Sequence, residues 1–296
     1  MPTVTHSVVQ AVILGVLTGG VYALMASGQT LIFGVMRVVN LAQGALVVLA
    51  AYIAYSLTAG LGIDPFLTVL FTTPLMFAFG VAVHTLFVRP IRSADRAELS
   101  LLVTFAVALG IEGVLTILYN TTYRSIDTSY ADTSWSVLGY QVPAVRAGAF
   151  VLSVLLLAGL IALLRRTRIG RAIRATVQNP TSARLLGVDV NRIGAVGFGL
   201  GAATAAAAGA VFGLVYPFNP NSHYELIARL LTIVVLGGLG SIGGAVVAAV
   251  GMGVISSVVA VTISPVWADF AFFVVLLAVL LIRPRGLFGP ALRGAT

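Results

Sequence analysis

Ten apolar stretches, several close to 20 residues long, follow one another along this chain with short polar links between them. They fall at about Val8–Gly28, Thr30–Val39, Gly44–Leu57, Pro65–Val88, Leu99–Tyr119, Ala147–Leu164, Ile193–Val215, Leu226–Leu239, Ala245–Ile263 and Val266–Ile282. A helix needs about 20 apolar residues to cross roughly 30 Å of hydrocarbon. The stretches lack the alternation of a lipid-facing barrel strand, so helices are the expected element. Composition agrees: 59% of the residues are hydrophobic and 9% charged, whereas soluble domains carry about 25% charged residues. The predicted fold class is all-α: a polytopic integral membrane protein of about eight transmembrane helices with broken or half helices. Residues 1–296 are expected to form one transmembrane domain.

Charge sets the orientation. Positive residues collect in cytoplasmic loops. Arg89–Glu98 holds three arginines, Arg165–Arg192 holds seven, and the tail carries Arg283, Arg285 and Arg293. These three segments are expected in the cytoplasm. Asn120–Arg146 and Pro217–Tyr224 are expected outside. The side of the amino-terminal end stays open, because Thr30–Val39 either completes the preceding span or is a half-helix. No arginine precedes Arg37, so the basic region of a cleaved signal peptide is missing and the first stretch should remain in the mature protein.

The same composition excludes several activities. All 17 basic residues are arginine. The phosphate-binding loop of P-loop ATPases requires a lysine, so any ATP-driven step must come from a partner. With no cysteine, disulfides and thiolate chemistry are out. The histidines, His6, His84 and His223, are scattered and form no metalloprotease motif. No cofactor or metal is expected in this chain, and the basic balance reads as topology rather than nucleic-acid binding.

Two interruptions fall within apolar surroundings: Asn40-Leu41-Ala42-Gln43-Gly44 and the run from Gly237 to Gly244. Irregular backbone at membrane depth survives only where protein covers it or it lines a wet cavity, and paired breaks often mark a transport route. The candidate pathway residues are therefore Asn40, Gln43, Gly44, Gly238, Gly240, Ser241 and Gly243, with Glu112 added as a carboxyl inside an apolar stretch. Asn40 and Gln43 could equally cap the broken helix ends. Glu112 is either a pathway group or a structural carboxyl, bonded to a neighbouring helix or kept protonated. Gly197, Gly201, Ala205, Gly209 and Gly213 form a small-residue stripe suited to close helix packing. Glu225 and Arg229 stand i,i+4 at an outer helix start, and Asp269 stands in the first turn of the last span. His84 is expected at the interface.

The longest polar interval, Arg165–Arg192, contains a helix of its own. Asn179-Pro180 reads as a start and Gly187 as a stop. A helix of about two turns is unstable alone in water, so it needs a docking surface. Ala183 and Leu186 are expected to form its apolar face, beside Arg184.

Four stretches together resemble the permeases of branched-chain amino acid ABC importers, LivH-type. They are GGVYALMASGQTLIFGVMRVVNLAQGAL, RAIRATVQNPTSARLLGVDVNRI, VVLGGLGSIGGAVVAAVGMGVI and RPRGLFG. Gln43 stands where many members carry His. The resemblance implies a permease in the bacterial inner membrane that pairs with a paralogous LivM-type permease. It implies two cytoplasmic ATPase subunits holding ATP and Mg, and an external solute-binding protein. It also implies that Arg174, Asn179, Ala183, Leu186 and Gly187 couple to an ATPase. Relatives moving urea, short amides or organic acids keep the substrate open. A stand-alone secondary carrier would need more intramembrane carboxylates than Glu112, and Ser241 lacks the setting of a serine protease.

Overall fold

The computed structural model describes residues 2–91, 96–137, 139–283 and 286–288. Arg285, Arg293 and three residues of RPRGLFG (284, 285 and 289) lie outside them, as does the middle of the Arg89–Glu98 loop. The main elements are α1 (Pro2–Met36), α2 (Gln43–Leu61), α3 (Pro65–Val83), α4 (Arg96–Tyr119), β1 (Ser134–Val137), β2 (Tyr140–Pro143), α5 (Ala144–Arg166), α6 (Arg168–Gln178), α7 (Pro180–Leu185), α8 (Val190–Val215), α9 (Ser222–Gly237), α10 (Ile242–Thr262) and α11 (Pro265–Ile282). Among the described residues, eight helices are long and apolar enough to cross a membrane. α3 runs on through one π turn, His84–Val88.

Thr30–Val39 completes the first span, since α1 is continuous to Met36 and stops at Arg37, whose φ of 56° is left-handed. The chain then returns toward the membrane interior before α2 begins. The amino-terminal side is now fixed. His6 Nε2 donates to the Gly139 carbonyl (3.2 Å), and Gln10 exchanges hydrogen bonds with the Gln141 backbone. The start of α1 therefore lies beside the loop Asn120–Arg146, on the outer face. That loop holds an unexpected antiparallel hairpin, β1–β2, with Gly139 at φ 84° in its turn. A glycine is favoured there because hairpin turns need positive φ. Asp64 caps α3 and accepts from the Tyr130 hydroxyl (2.7 Å), tying the loop to the outer end of α3. Burial and the Asp64 carboxylate push the Tyr130 hydroxyl well above its usual pKa.

The core is organised around α8. Lipid tails are as apolar as leucine, so helices associate in a bilayer by close packing rather than by a hydrophobic drive. The small-residue stripe provides that approach. A Cβ on Gly209 would sit 2.2 Å from the Val47 carbonyl of α2, and one on Gly201 would sit 2.4 Å from Ile32 of α1. Glycines on a second face do the same for α3: Gly199 meets Val81 and Phe77. α8 is thus held between α1, α2 and α3. α1 in turn lies against α10, where Gly15, Gly19 and Gly253 bring the two backbones together.

The segment after Pro217 departs from expectation. Tyr216 ends α8, Phe218 pairs with Arg124 at the outer face, and the chain then turns inward. His223 is buried, and a Cβ on Gly44 would touch its carbonyl at 2.5 Å. Gly44 is adjacent to Gln43, which bonds to Gly201 in the interior of α8. Pro217 and Phe218 thus lie outside as expected, the chain from Asn219 to Tyr224 turns inward, and α9 is a half-helix of 16 residues, about 24 Å long at 1.5 Å per residue.

Candidate functional site

The cytoplasmic loop is a chain of capped helices with little slack. The Thr167 hydroxyl accepts from Gly170 N (2.9 Å) at the start of α6. Asn179 Oδ1 accepts from Thr181 N and Ser182 N (3.0 and 3.1 Å), and Pro180 opens α7. Gly187, at φ 83°, closes it, with Gly187 N donating to Arg184 O and Val188 N donating to Ala183 O, both at 3.0 Å. This is the left-handed helix stop that glycine permits. Asp189 Oδ1 then caps α8 through Asn191 N and Arg192 N.

One detail of the expected docking face is corrected. Ala183 is 2% exposed and turned into the protein, whereas Leu186 is 82% exposed, so the two do not share a face. The outward apolar pair is Leu185 (85% exposed) and Leu186. Ala183 is covered because α7 is seated under the membrane bundle. A cavity of about 140 Å³ separates Pro180 and Arg184 from Met36, Arg37, His84 and Gly194. His84 lies at the cytoplasmic end of the bundle, lining that cavity with Arg37 and Arg184. It is buried in the π turn, near Phe198, and a Cβ on Gly194 would lie 3.0 Å from its Nε2. Arg174 lies on α6 and donates to the Arg165 carbonyl (3.3 Å).

The second group lies at membrane depth on α4, α9 and α11. Glu112 Oε2 accepts from Tyr224 Oη (2.9 Å) and pairs with His223 Nε2 (2.9 Å). Arg229 bonds to Glu225, to Asp269 and, through Nη1, to Tyr22 Oη at 2.8 Å. Its guanidinium also lies over the Phe272 ring, 5.8 Å from the centroid. Glu225, Arg229 and Asp269, read from the sequence as local features of two helices, are one network. This flank is open: the Glu225 and Asp269 side chains are 58% and 51% exposed. Ionised groups facing lipid cost several kcal/mol each, so such a flank faces protein or water. Arg229→Leu should leave both carboxylates uncompensated and lower the thermal midpoint of the purified protein. Arg229→Leu combined with Asp269→Leu should recover part of the loss. A double variant no more stable than the single would show that the two residues do not act as a pair.

The two breaks are built differently. Asn40 Oδ1 accepts from Ala42 N (3.1 Å), Asn40 Nδ2 donates to Gln43 Oε1 (3.2 Å), and Gln43 Nε2 donates to Gly201 O (3.2 Å). Both amides are fully buried and engaged in bracing the α1–α2 link. At the other break, Gly238 and Gly240 have φ of 89° and 86°, and the Ser241 hydroxyl caps α10 by accepting from Gly244 N (3.1 Å). Leu287 N donates to Leu236 O (2.7 Å), so the tail returns to the end of α9. Gly240 and Gly243 line a cytoplasmic cavity and do not meet Glu112. The sequence missed His223 and Tyr224 as partners of Glu112. The available signal was the need of an intramembrane carboxyl for a donor, but no spacing identifies a donor 111 residues away.

A helical bundle in which, among the described residues, eight helices are long and apolar enough to cross a membrane, with the shorter α9 completing a further passage, an open polar flank and a capped helix at its cytoplasmic face, is the architecture of a transport permease. Residues 11–280 match the family described as branched-chain amino acid transport system / permease component, and the chain belongs to that family. It is 29% identical to the high-affinity branched-chain amino acid transport system permease protein BraD of Pseudomonas aeruginosa, over 98% of both chains. It is 30% identical to the corresponding LivH protein of Salmonella typhimurium, over 93% of both. The autoinducer 2 import system permease protein LsrC of Escherichia coli is 39% identical over 45% of this chain and 42% of its own. No solved structure matches. The protein is thus a multi-pass permease component of the inner membrane and not an enzyme.

Proposed function

We propose that this permease serves an ATP-driven importer of branched-chain amino acids or similar small polar solutes. Two cytoplasmic ATPase subunits, which hold the ATP and Mg, drive it, and an external solute-binding protein feeds it. A paralogous LivM-type permease pairs with it across the α4–α9–α11 flank. The reading rests on one observation above all: Leu185 and Leu186 stand more than four-fifths exposed on a two-turn helix that is capped at both ends. An ATPase surface supplies the cover such a helix needs.

The mechanism follows from stiffness. A push on α7 passes through Gly187 and the Asp189 cap into α8 with no flexible linker between them. α8 is packed against α1, α2 and α3 through glycine contacts too tight to slide smoothly, so its motion shifts them as a body. The Glu112–His223–Tyr224 group and the Arg229 network lie where that motion opens or closes the route between the two permeases. Solute moves because it binds the two states differently. In this reading Asn40, Gln43 and Gly44 brace the gate. Gly238, Gly240, Ser241 and Gly243 form the turn about which α9 moves, and Arg174 backs the coupling helix with Asn179, Ala183, Leu186 and Gly187.

The test is reconstitution of the chain with its paralogue, the ATPases and the binding protein. ATP-dependent uptake of leucine into proteoliposomes is expected, with the ATPases co-purifying. Uphill uptake by the chain alone would overturn the importer reading. ATP-dependent uptake of urea but not leucine would overturn the substrate alone.

A further inference from the structure

Between α1, α5, α6 and α10, at the arginine-rich face, lies a cavity of about 460 Å³. Its inner wall is apolar, made by Leu31, Ile161, Leu164 and Ile242, while Arg165, Arg174 and Gln178 stand at its mouth. Gly34, Gly240 and Gly243 leave space where side chains would fill it, and a Cβ on Gly243 would meet nothing within 4 Å. Thr30 also lines the cavity. Its hydroxyl is buried and has no hydrogen-bond partner among the described residues.

The mouth carries unbalanced charge. Neither Arg165 nor Arg174 has an ion-pair partner among the described residues. The loop's one acid, Asp189, is bonded to Arg192 (3.0 Å). Two guanidiniums without an acid partner, that of Arg174 bonded to the Arg165 carbonyl (3.3 Å), stand above an apolar slot at the boundary of a leaflet rich in anionic lipid and match a phospholipid from both ends. A free anion would leave the apolar wall without an occupant. We propose that this groove seats one anionic phospholipid of the cytoplasmic leaflet. Its phosphate sits between Arg165 and Arg174, and an acyl chain lies against Leu31, Ile161, Leu164 and Ile242. The lipid then fixes α6 against the spans and sets the position from which α7 works. The inference uses the cytoplasmic placing of this loop but not the transported solute.

The experiment is native mass spectrometry of the assembled complex after mild detergent extraction and rebinding of phosphatidylglycerol or phosphatidylcholine. The wild type should retain phosphatidylglycerol selectively. Arg165→Gln with Arg174→Gln should weaken that binding about tenfold or more, given the attraction of each arginine for an anionic surface. Gly243→Phe should also expel the lipid by filling the slot. Arg168→Gln with Arg171→Gln, which changes equal charge outside the groove, should not. Equal loss from both arginine pairs would overturn the groove in favour of general surface attraction. Unchanged lipid with loss of the ATPase subunits would assign the arginines to a protein interface and overturn it equally.

Discussion

Replacing Gly187 with valine is expected to bring transport close to background while leaving the amount of permease in the membrane unchanged. The residue's φ of 83° costs a side-chain-bearing residue roughly 1–2 kcal/mol. No neighbour lies within 4 Å of a Cβ there, so the cost is in the backbone alone. That is enough because α7 has no reserve. It is two turns long, its Asn179 cap contributes about 1 kcal/mol, and an isolated helix of this length does not persist in water. A cost of this size lowers the docking-ready population about 5- to 30-fold. Gly187→Asn should retain most activity, because asparagine tolerates the left-handed region, and Gly187→Ala should fall between. Asn179→Pro should match valine, since it removes the cap. The measurement is ATP-driven uptake in vesicles, normalised to permease content. A valine variant transporting at the wild-type rate would refute the coupling role of α7.

The larger structural effect is expected at the α1–α10 contact. A Cβ on Gly253 would stand 2.4 Å from the Gly15 carbonyl, and one on Gly19 would stand 2.7 Å from the Val250 Cα. Both obstacles are backbone, so no rotamer change relieves them. Overpacking an adaptable core costs about 1–3 kcal/mol, and parting two helices along a glycine seam removes the close contacts that hold them in lipid. Gly253→Val and Gly19→Val should therefore yield little folded protein, with aggregation on size-exclusion chromatography and a lower thermal midpoint. Gly251→Val is the control, two residues away on α10, where a Cβ meets nothing within 4 Å. If Gly253→Val and Gly251→Val behaved alike, the seam would not be what holds these helices together.

Features carried by local chemistry were readable in the sequence. Span length, the arginine-rich loops, the Asn179 and Gly187 helix ends and the α8 stripe each depend on residues a few positions apart. Features that depend on what arrives from elsewhere were not. Glu112 meets His223 and Tyr224 only through the fold, and Arg229 reaches Asp269 because α9 turns back into the membrane. The outward turn of Leu185, rather than Ala183, depends on where α7 seats against α6 and α8. The hairpin carries little local signal, because Ser134–Pro143 is short, mostly exposed and set between long apolar stretches.

The stitching of His6 and Gln10 to the β1–β2 hairpin bears on how the polypeptide is made. The outer end of α1 crosses before the hairpin is made, and Arg37, just past the other end of α1, favours the cytoplasmic side. Synthesis of the hairpin comes more than a hundred residues later, so the exported end waits for its partner until α4 has crossed.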